Sequence, residues 1–481
     1  MIVLKFGGTS VGSLEKVRDA AAIIEQQPEP RAAVVSAASG VTNLLLEAAQ
    51  YAAAGDTAAL DHVLELITTK HTAILDGIAD KHERAGAVGE LDQLYAALHD
   101  ALGTVTVAGE VSKELSDRIV STGEKSMTVM LAALLRVGGT PAVHVFADTV
   151  IGTDDRFGNA RPDRDRTRAQ AQERVRPHLD AGKTVIMTGF IGGAPDGRTT
   201  TLGRGGSDYS ATLLGAALDA DEVQIWTDVP GVLSADPRQV PEARVVPAIS
   251  YEEAQELAHF GAKVLHPRTI RPAVARDIPV RILSTFAPTE PGTLVQRKTS
   301  DASIKAVTAM KGLMMLSIDV PELEDLAGAA ASVFQQLHVD RVEIVHVAQA
   351  SSRRRMTYLV DAASAGGCAT TVQALDTALD DYEAAIACDE QVALVAAVGE
   401  GAADKPATLS KMMEVLRKAG VPVLGSSQQT SNVALVVVVP ALRAQKAVEV
   451  VHEAFIGKQP ASASGRRPRR TRMQRESLRV G

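Results

Sequence analysis

The segment from Thr200 to Asp208 combines residue types that suit the binding of an anion. Its three glycines allow positive φ angles and a close approach of the backbone to a ligand. Arg204 supplies a planar donor fork that matches a carboxylate or a phosphate. A helical pattern follows, so we expect Ser207 or Asp208 to cap the helix, whose free N–H groups favour an anion. An ordinary glycine-rich connection would show the same pattern, so the rest of the chain has to decide.

Two predicted strands also end in residues that suit the binding of an anion. The first ends in Lys5 and a Gly-Gly turn, and the second ends in a hydroxyl- and glycine-rich stretch that includes Thr42. Because such ends meet at one edge of a parallel sheet, they favour a shared cleft in which the lysine neutralises phosphoryl charge. A solvated lysine before a turn is the simpler alternative.

Further candidates need context. Glu124, within a helical tract, could pair with an ammonium group or be an exposed helical glutamate. The turn after Thr227 could hold a nucleotide or be only a turn. Lys263 lies at another break in the pattern, and His266, in an apolar run before a proline, is by default a core or capping residue.

Several classes of site are missing from the sequence. It contains no Gly-x-x-x-x-Gly-Lys-[Ser/Thr] loop, no protein-kinase signature set, no Cys/His cluster for a metal and no Gly-x-Ser-x-Gly nucleophile elbow. Lysine, arginine, glycine and hydroxyl groups at strand ends recur instead. This combination favours phosphoryl transfer by positioning and electrostatics over covalent catalysis.

The chain of 481 residues corresponds to about three domains at roughly 150 residues each. Residues 1–295 alternate strand-like and helical patterns, which predicts an α/β domain with a mainly parallel sheet covered on both faces. A long helical tract is expected over residues 42–137. The predicted strands are Ile2–Phe6, Ala32–Ser36, Ala142–Phe146, Thr184–Gly189, Glu222–Thr227 and Val280–Leu283.

After residues 288–292 the organisation changes. Two smaller units follow, residues 301–388 and 389–460, with strands and helices in a similar order, and they look like binding modules rather than catalytic ones. Residues 461–481 contain seven arginines and one glutamate, and we expect this basic tail to be disordered.

Composition narrows the class of protein and its partners. The net charge of −8 argues against a nucleic-acid binder, and no stretch approaches the ~18 to 20 apolar residues of a membrane span. The first residues resemble a strand rather than a signal peptide. Cys368 and Cys388 offer no disulfide framework and no metal-ligand spacing. We therefore expect a cytoplasmic protein without membrane or nucleic-acid partners.

Together, these segments resemble the aspartate kinases of the amino acid kinase family over roughly residues 1–457. Seven motifs of that family occur in order, namely Lys5–Val11, Ser121–Glu124, Asp155–Gly158, Gly189–Gly192, Thr199–Asp208, Trp226–Gly231 and Phe260–Pro267. The resemblance implies an αβα sandwich with a mainly parallel sheet, followed by two ferredoxin-like (βαββαβ) ACT regulatory domains.

The resemblance also implies a reaction. ATP and Mg²⁺ would phosphorylate the side-chain carboxylate of L-aspartate to give 4-phospho-L-aspartate, the first step towards lysine, threonine and methionine. An amino-acid effector, lysine or threonine, would bind the ACT domains of a homodimer or homotetramer. The effector positions of the first unit correspond to Glu343, Ala348 and Gln349, which leaves lysine, threonine, both or neither open. Leu233 stands where many relatives have a tyrosine, so adenine packing is expected to differ.

Residue roles carry over from the motifs. Arg204 would bind the α-carboxylate of aspartate, Glu124 would face its α-ammonium, and Asp208 would orient Lys5 towards the transferring phosphoryl group. The catalytic set is Lys5, Asp208 and Lys263. The substrate-binding set is Thr42, Glu124, Phe190, Arg204 and Ser207. The nucleotide-binding set is Lys5, Gly7, Gly8, Ser10, Thr227, Asp228, Asp236, Arg238 and Lys263. No residue is assigned as a metal ligand.

Two alternatives stay open. A relative that acts on glutamate, N-acetylglutamate or a nucleotide is disfavoured by the Arg204–Ser207 motif and by the paired regulatory units. A catalytically inactive amino-acid-sensing regulatory protein belongs to a different class. The presence of both Lys5 and Asp208 argues against it.

Overall fold

The structure is a computed structural model that describes residues 1–261, 266–299, 301, 303–321, 326–350, 354–400, 406–428 and 433–457. The first ten strands are β1 (Ile2–Phe6), β2 (Arg31–Val35), β3 (Ala142–Val145), β4 (Thr184–Thr188), β5 (Ile191–Gly193), β6 (Thr199–Thr201), β7 (Glu222–Thr227), β8 (Ala248–Ser250), β9 (Val280–Ser284) and β10 (Thr293–Gln296). The first ten helices are α1 (Leu14–Gln26), α2 (Val41–Ala54), α3 (Thr57–Leu75), α4 (Lys81–Ala108), α5 (Lys113–Val137), α6 (Arg164–Arg174), α7 (Arg176–Asp180), α8 (Gly206–Ala217), α9 (Tyr251–His259) and α10 (Pro267–Arg276).

Eight of these strands form one sheet, in the order β3-β4-β2-β1-β7-β9-β10-β8. Every neighbouring pair is parallel except β9–β10, so the prediction of a mainly parallel sheet is confirmed. β1 lies near the centre, and its Lys5 is in register with Val34 of β2 and Ile225 of β7. The sheet therefore brings three predicted strand ends side by side.

Helices cover both faces of this sheet. Leu4 and Phe6 of β1 pack into a core formed with helices α1 to α5, whereas Val3 packs into a second core with α6, α8 and α10. This alternation is what a strand buried on both faces requires, because successive side chains point to opposite sides. The expected αβα sandwich is confirmed.

Four short strands were not predicted. β5, β6 and β8 have three residues each and β10 has four, which is too short for a hydrophobic period to be recognised. β5 and β6 form a separate hairpin that leads into the glycine-rich segment. The structure thus places a rigid hairpin directly before Arg204.

The described residues of the C-terminal part add six strands and five α-helices. The strands are β11 (Ala306–Asp319), β12 (Ile344–Ala350), β13 (Arg355–Asp361), β14 (Ala385–Val398), β15 (Gly425–Gln428) and β16 (Ala434–Pro440). The helices are α11 (Leu326–Val339), α12 (Ala362–Ala365), α13 (Cys368–Ala378), α14 (Pro406–Lys418) and α15 (Ala444–Phe455).

These six strands form a single sheet, in the order β12-β13-β11-β14-β16-β15. Residues Leu313–Asp319 of β11 pair with β13, whereas Ala306–Met310 pair only with the end of β14, next to β16. The second unit therefore takes its fourth strand from the start of β11. Both halves have the antiparallel strand order of a ferredoxin-like unit, and the two units interleave. The unit limits given above stay a prediction, and the one at 388/389 falls inside β14.

A buried ion pair joins the two parts of the molecule. Lys305 Nζ lies 2.9 Å from Glu253 Oε2, and these side chains are 6% and 1% exposed. Glu253 also accepts the N–H of Ser250 at 2.7 Å, closing the capping box of α9. The Glu253 carboxylate thus connects the first turn of α9 to the residue before β11.

The expectation for the two cysteines is wrong. Cys368, at the start of α13, and Cys388, in β14, are joined by a disulfide with their Cα atoms 5.8 Å apart. They are 20 residues apart in sequence, and the packing of α13 on β14 brings them together. Among the described residues, no helix is long and apolar enough to cross a membrane.

Candidate active site

A cavity of about 710 Å³ opens at the carboxyl ends of β1, β2 and β7. It brings together ten of the residues predicted from the sequence: Lys5, Gly7, Gly8, Thr42, Glu124, Phe190, Arg204, Ser207, Asp208 and Thr227. Ser36, Ser39 and Asn43, which no role was assigned to, also line it. Strand ends of one parallel sheet thus form a shared cleft.

Lys5 and Asp208 form an ion pair inside this cavity. Lys5 Nζ lies 2.6 Å from Asp208 Oδ1, and the side chains are 12% and 19% exposed. Lys5 comes from the central strand β1, and Asp208 comes from the first turn of α8. The pair therefore holds a compact positive charge at the edge of the sheet and leaves it accessible from the cavity.

The glycine-rich segment starts α8 differently from our expectation. Gly205, with a φ of 71°, is the N-cap, and the helix begins at Gly206. Ser207 and Asp208 therefore lie within the first turn, and the prediction that one of them caps the helix is wrong. Because the left-handed conformation of Gly205 starts the helix early, neither side chain is used as a cap and both line the cavity. The Ser207 hydroxyl accepts a hydrogen bond of 2.9 Å from Ser36.

Phe190 is held in an unusual backbone conformation against this turn. Its φ is 69°, which is uncommon for a residue other than glycine. Its N–H donates to the Ser210 hydroxyl at 3.0 Å, and its carbonyl accepts the N–H of Leu202 at 2.8 Å. A Cβ atom at Gly206 would lie 2.6 Å from the Phe190 ring. Glycine at this position thus lets the phenylalanine pack directly on the start of α8.

Asp117 holds the start of the glycine-rich segment by hydrogen bonds, and the sequence did not identify it as a candidate. This buried residue of α5 accepts the N–H groups of Gly158 and Thr201 at 2.8 Å each, and the Thr201 hydroxyl at 2.8 Å. Burial raises its pKa, and the three hydrogen bonds oppose that rise. Asp117 fastens β6, the strand that leads to Arg204. In the sequence it cannot be distinguished from an acidic residue on an exposed helix face.

Glu124 is a buried carboxyl group that faces the cavity with one oxygen unsatisfied. Its residue is 3% exposed, and burial raises its pKa to about 8, opposed mainly by a hydrogen bond from the Ala37 backbone. Its Oε2 has no hydrogen-bond partner within the described part of the chain. A buried oxygen without a partner is costly, and a donor from a ligand would remove that cost. The charged form would be favoured most by a cation.

The backbone of Gly7 and Gly8, near the start of the chain, forms one wall of the cavity. A Cβ atom at Gly8 would lie 2.9 Å from the carbonyl oxygen of Ala37, so a side chain does not fit there. Gly7, Gly8 and Thr227 line the cavity. Ser10 does not, because its buried hydroxyl lies 3.3 Å from that of Thr285 and bonds to it.

The other predicted nucleotide residues that the structure describes do not line this cavity. Asp236 and Arg238 pair with each other at 2.6 Å, and the Arg238 side chain is 88% exposed. Asp228 follows Thr227 but does not line the cavity. Lys263 lies outside the described residues. His266 is the N-cap of α10 and accepts the N–H of Arg268 at 3.2 Å, which confirms a capping role.

The chain matches two family models. The amino acid kinase family model matches residues 1–284, and an ACT domain model matches residues 395–455. Lysine-sensitive aspartokinase 3 of Escherichia coli (strain K12) is 33% identical over 453 residues, which are 94% of this chain and 98% of that protein. The bifunctional aspartokinase/homoserine dehydrogenase 1 of Arabidopsis thaliana is 30% identical over 473 residues, or 94% of this chain. The chain spans about half (51%) of that longer relative.

Solved structures show the same relationship. The crystal structure of E. coli aspartokinase III in complex with aspartate and ADP matches with a TM-score of 0.77 at 31% identity, covering 95% of this chain and 100% of that chain. The same enzyme in complex with lysine and aspartate matches with a TM-score of 0.77 at 32% identity, covering 95% of this chain and 99% of that chain. The fold, the motif residues gathered at the cleft and these relatives agree: the chain belongs to the amino acid kinase family, in its aspartokinase group.

Proposed function

We propose that this chain transfers the γ-phosphoryl group of ATP to the side-chain carboxylate of L-aspartate. The observation that carries the proposal is one cavity that contains both a buried carboxyl group and a guanidinium group. Glu124 offers a buried oxygen that has no hydrogen-bond partner among the described residues, and Arg204 offers a guanidinium fork in the same cavity. An α-amino acid has the matching ammonium and carboxylate on adjacent atoms.

The substrate is then oriented by its two α groups. Arg204 binds the α-carboxylate through paired N–H donors, and Glu124 binds the α-ammonium. Ser207, Thr42 and Phe190 complete the pocket around the substrate. The side-chain carboxylate is left to point towards Lys5, which lines the same cavity.

The chemistry needs no general base. The aspartate side chain has a pKa of about 3.9 in solution and is ionised near neutral pH. One of its oxygens forms a bond to the γ-phosphorus while the bond between that phosphorus and the ADP oxygen breaks. Lys5 stabilises the charge on the transferring group, and Asp208 keeps the ammonium in place through their 2.6 Å ion pair. Catalysis thus rests on positioning and charge.

ATP fits the backbone wall at Gly7 and Gly8, where the absence of side chains lets phosphate approach N–H groups. Thr227 lines the same side, and we extend the nucleotide site to Asp228, Asp236, Arg238 and Lys263. Within the described ranges, no group of three or more His, Cys, Asp or Glu side chains is placed to hold a metal ion. This fits Mg²⁺, which keeps most of its waters and would enter bound to the ATP phosphates.

The regulatory part extends the proposal. The product, 4-phospho-L-aspartate, would begin synthesis of lysine, threonine and methionine. The interleaved sheet supports ACT units that bind one of these amino acids, lysine or threonine, as an inhibitor. We propose a homodimer or a homotetramer, since β12 and β15 are unpaired edge strands of that sheet among the described residues.

The activity is tested by hydroxamate formation from aspartate, ATP and hydroxylamine. We expect product from the parent protein and a fall in kcat of at least about 100-fold for Lys5→Ala, the scale of losing one charge-stabilising group. Lys183→Ala is the matched control, because Lys183 is exposed and precedes β4 at the opposite end of the sheet. No hydroxamate from the parent would reject the activity. Equal rates for parent and Lys5→Ala would reject only the role of Lys5.

Regulation is tested separately with the active enzyme. Dose–response curves are measured with lysine and threonine, alone and together, at aspartate concentrations near KM. We expect at least one of them to lower the rate. Flat curves for both amino acids would contradict end-product control and leave the catalytic proposal standing.

A further inference from the structure

A second, larger cavity is lined mainly by cationic side chains. It has a volume of about 870 Å³. The cationic residues around it are Lys113, Arg156, Arg161, Arg164, Arg268 and Arg271. Asp155 is the one carboxylate among the described residues that line it, so these residues carry an excess of five positive charges. This accumulation stands out in a chain whose net charge is −8.

This cavity is separate from the candidate active site. The two cavities share no lining residue, and the Gly203–Asp208 segment lines only the candidate active site. Arg268, which lines the basic cavity, donates to Asn159 Oδ1 at 2.6 Å and lies over the Tyr209 ring, 5.3 Å from its centroid. A Cβ atom at Gly203 would lie 2.8 Å from the same Asn159 oxygen. Through Asn159, the wall of the basic cavity therefore contacts the turn that carries Arg204.

Most of its charges have no counter-ion among the described residues. In the described part of the chain, Lys113, Arg161, Arg164 and Arg271 make no ion pair and no side-chain hydrogen bond, whereas Arg156 is paired with Asp154 at 3.4 Å. Lys113 and Arg164 are also the first residues of α5 and α6, so the starts of two helices meet at this cavity. Like charges held this close repel one another, and a bound anion would relieve that repulsion.

We propose that this cavity binds a small anion carrying two or more phosphoryl groups, as inorganic polyphosphate or as a nucleoside polyphosphate. An amino acid or dicarboxylate supplies at most two negative charges, whereas a triphosphate supplies roughly four near neutral pH. Guanidinium forks match phosphate oxygens in pairs. The cavity is within the range of about 300–1,000 Å³ that small-molecule sites occupy, so it also accommodates an organic group beside the phosphates.

The test is isothermal titration calorimetry of the full chain with inorganic tripolyphosphate at physiological ionic strength. We compare the parent with the double variant Arg161→Ala/Arg164→Ala. The control is Arg174→Ala, which removes one arginine from the other end of α6, outside the cavity. Binding at the basic cavity should weaken by at least about ten-fold in the double variant and by less than about two-fold in the control. KM values for aspartate and ATP, measured without tripolyphosphate, should stay unchanged, because neither arginine lines the candidate active site.

The outcomes separate this site from non-specific charge attraction and from the active site. A parent isotherm identical to that of the double variant would overturn the proposal, as would equal weakening by Arg174→Ala. Guanosine triphosphate is titrated in parallel to identify the source of the anion. Tighter binding than tripolyphosphate, lost in the double variant, supports a nucleotide, and equal binding supports an inorganic polyphosphate. The titrations do not depend on the proposed kinase activity; only the KM control does.

Discussion

The raised pKa of Glu124 makes a quantitative prediction about how the enzyme binds aspartate. In the free protein the buried carboxyl has a pKa of about 8, so it is mostly protonated at pH 7. Pairing with the α-ammonium of aspartate requires the ionised form. We therefore expect substrate affinity to rise with pH as Glu124 loses its proton, even though the substrate keeps the same charge over this range.

The size of the effect follows from the ionised fraction. With a pKa of about 8, roughly 1% of Glu124 is ionised at pH 6, about 9% at pH 7 and half at pH 8. The KM for aspartate should fall about ten-fold from pH 6 to 7 and about five-fold from pH 7 to 8. The kcat at saturating aspartate should change little, because bound substrate holds Glu124 ionised.

The assay is initial-rate kinetics with aspartate varied at saturating ATP, at half-unit steps from pH 6 to 8.5. Glu124→Gln should raise the KM and remove its dependence on pH. The control is Glu114→Gln, because Glu114 is exposed on the same helix and pairs with Arg198 at 2.6 Å. A KM for the parent that is flat over this range, or a slope that survives in Glu124→Gln, would refute the assignment.

Three further predictions test the supports of the site. Folding raises the pKa of Glu124, so this carboxyl keeps its proton in the folded protein at pH values where it is ionised in the unfolded chain, and the unliganded protein should lose stability as the pH rises from about 4.5 to 8. In thermal unfolding at pH 8, Glu124→Gln should therefore melt at a higher temperature than the parent. A lower melting temperature for the variant would contradict this prediction. Lys305→Met leaves Glu253 buried without its cation and should cost about 3–5 kcal/mol in urea unfolding. Arg355→Met breaks a half-exposed pair and should cost less than about 1 kcal/mol. Similar losses for both variants would argue against the buried link. Asp117→Asn should raise the KM for aspartate about ten-fold, which corresponds to the loss of roughly one hydrogen bond. The KM for ATP should stay within about two-fold of the parent value. Equal changes in both constants would show a general loss of structure instead.

The sequence determined the local features of this protein. Alternating apolar strands and helices indicated the parallel sheet, because a strand buried on both faces must be apolar along its length. The six predicted strands of the first domain all exist, with ends shifted by at most one residue. Lysine, glycine and hydroxyl residues at strand ends also indicated the cleft, since parallel strands end at one edge. The seven motifs, which occur in the order found in aspartate kinases, then assigned these residues to one site.

The tertiary structure decided everything that depends on which elements pack together. Glu124 is buried and Asp117 makes three hydrogen bonds because α5 lies against β6 and the carboxyl end of β2. A helical sequence pattern does not show which strands a helix contacts. The disulfide between Cys368 and Cys388 and the interleaved β11 and β14 come from long-range pairing. The basic cavity likewise forms only when separate helix starts converge, because charges far apart in sequence become neighbours through packing alone.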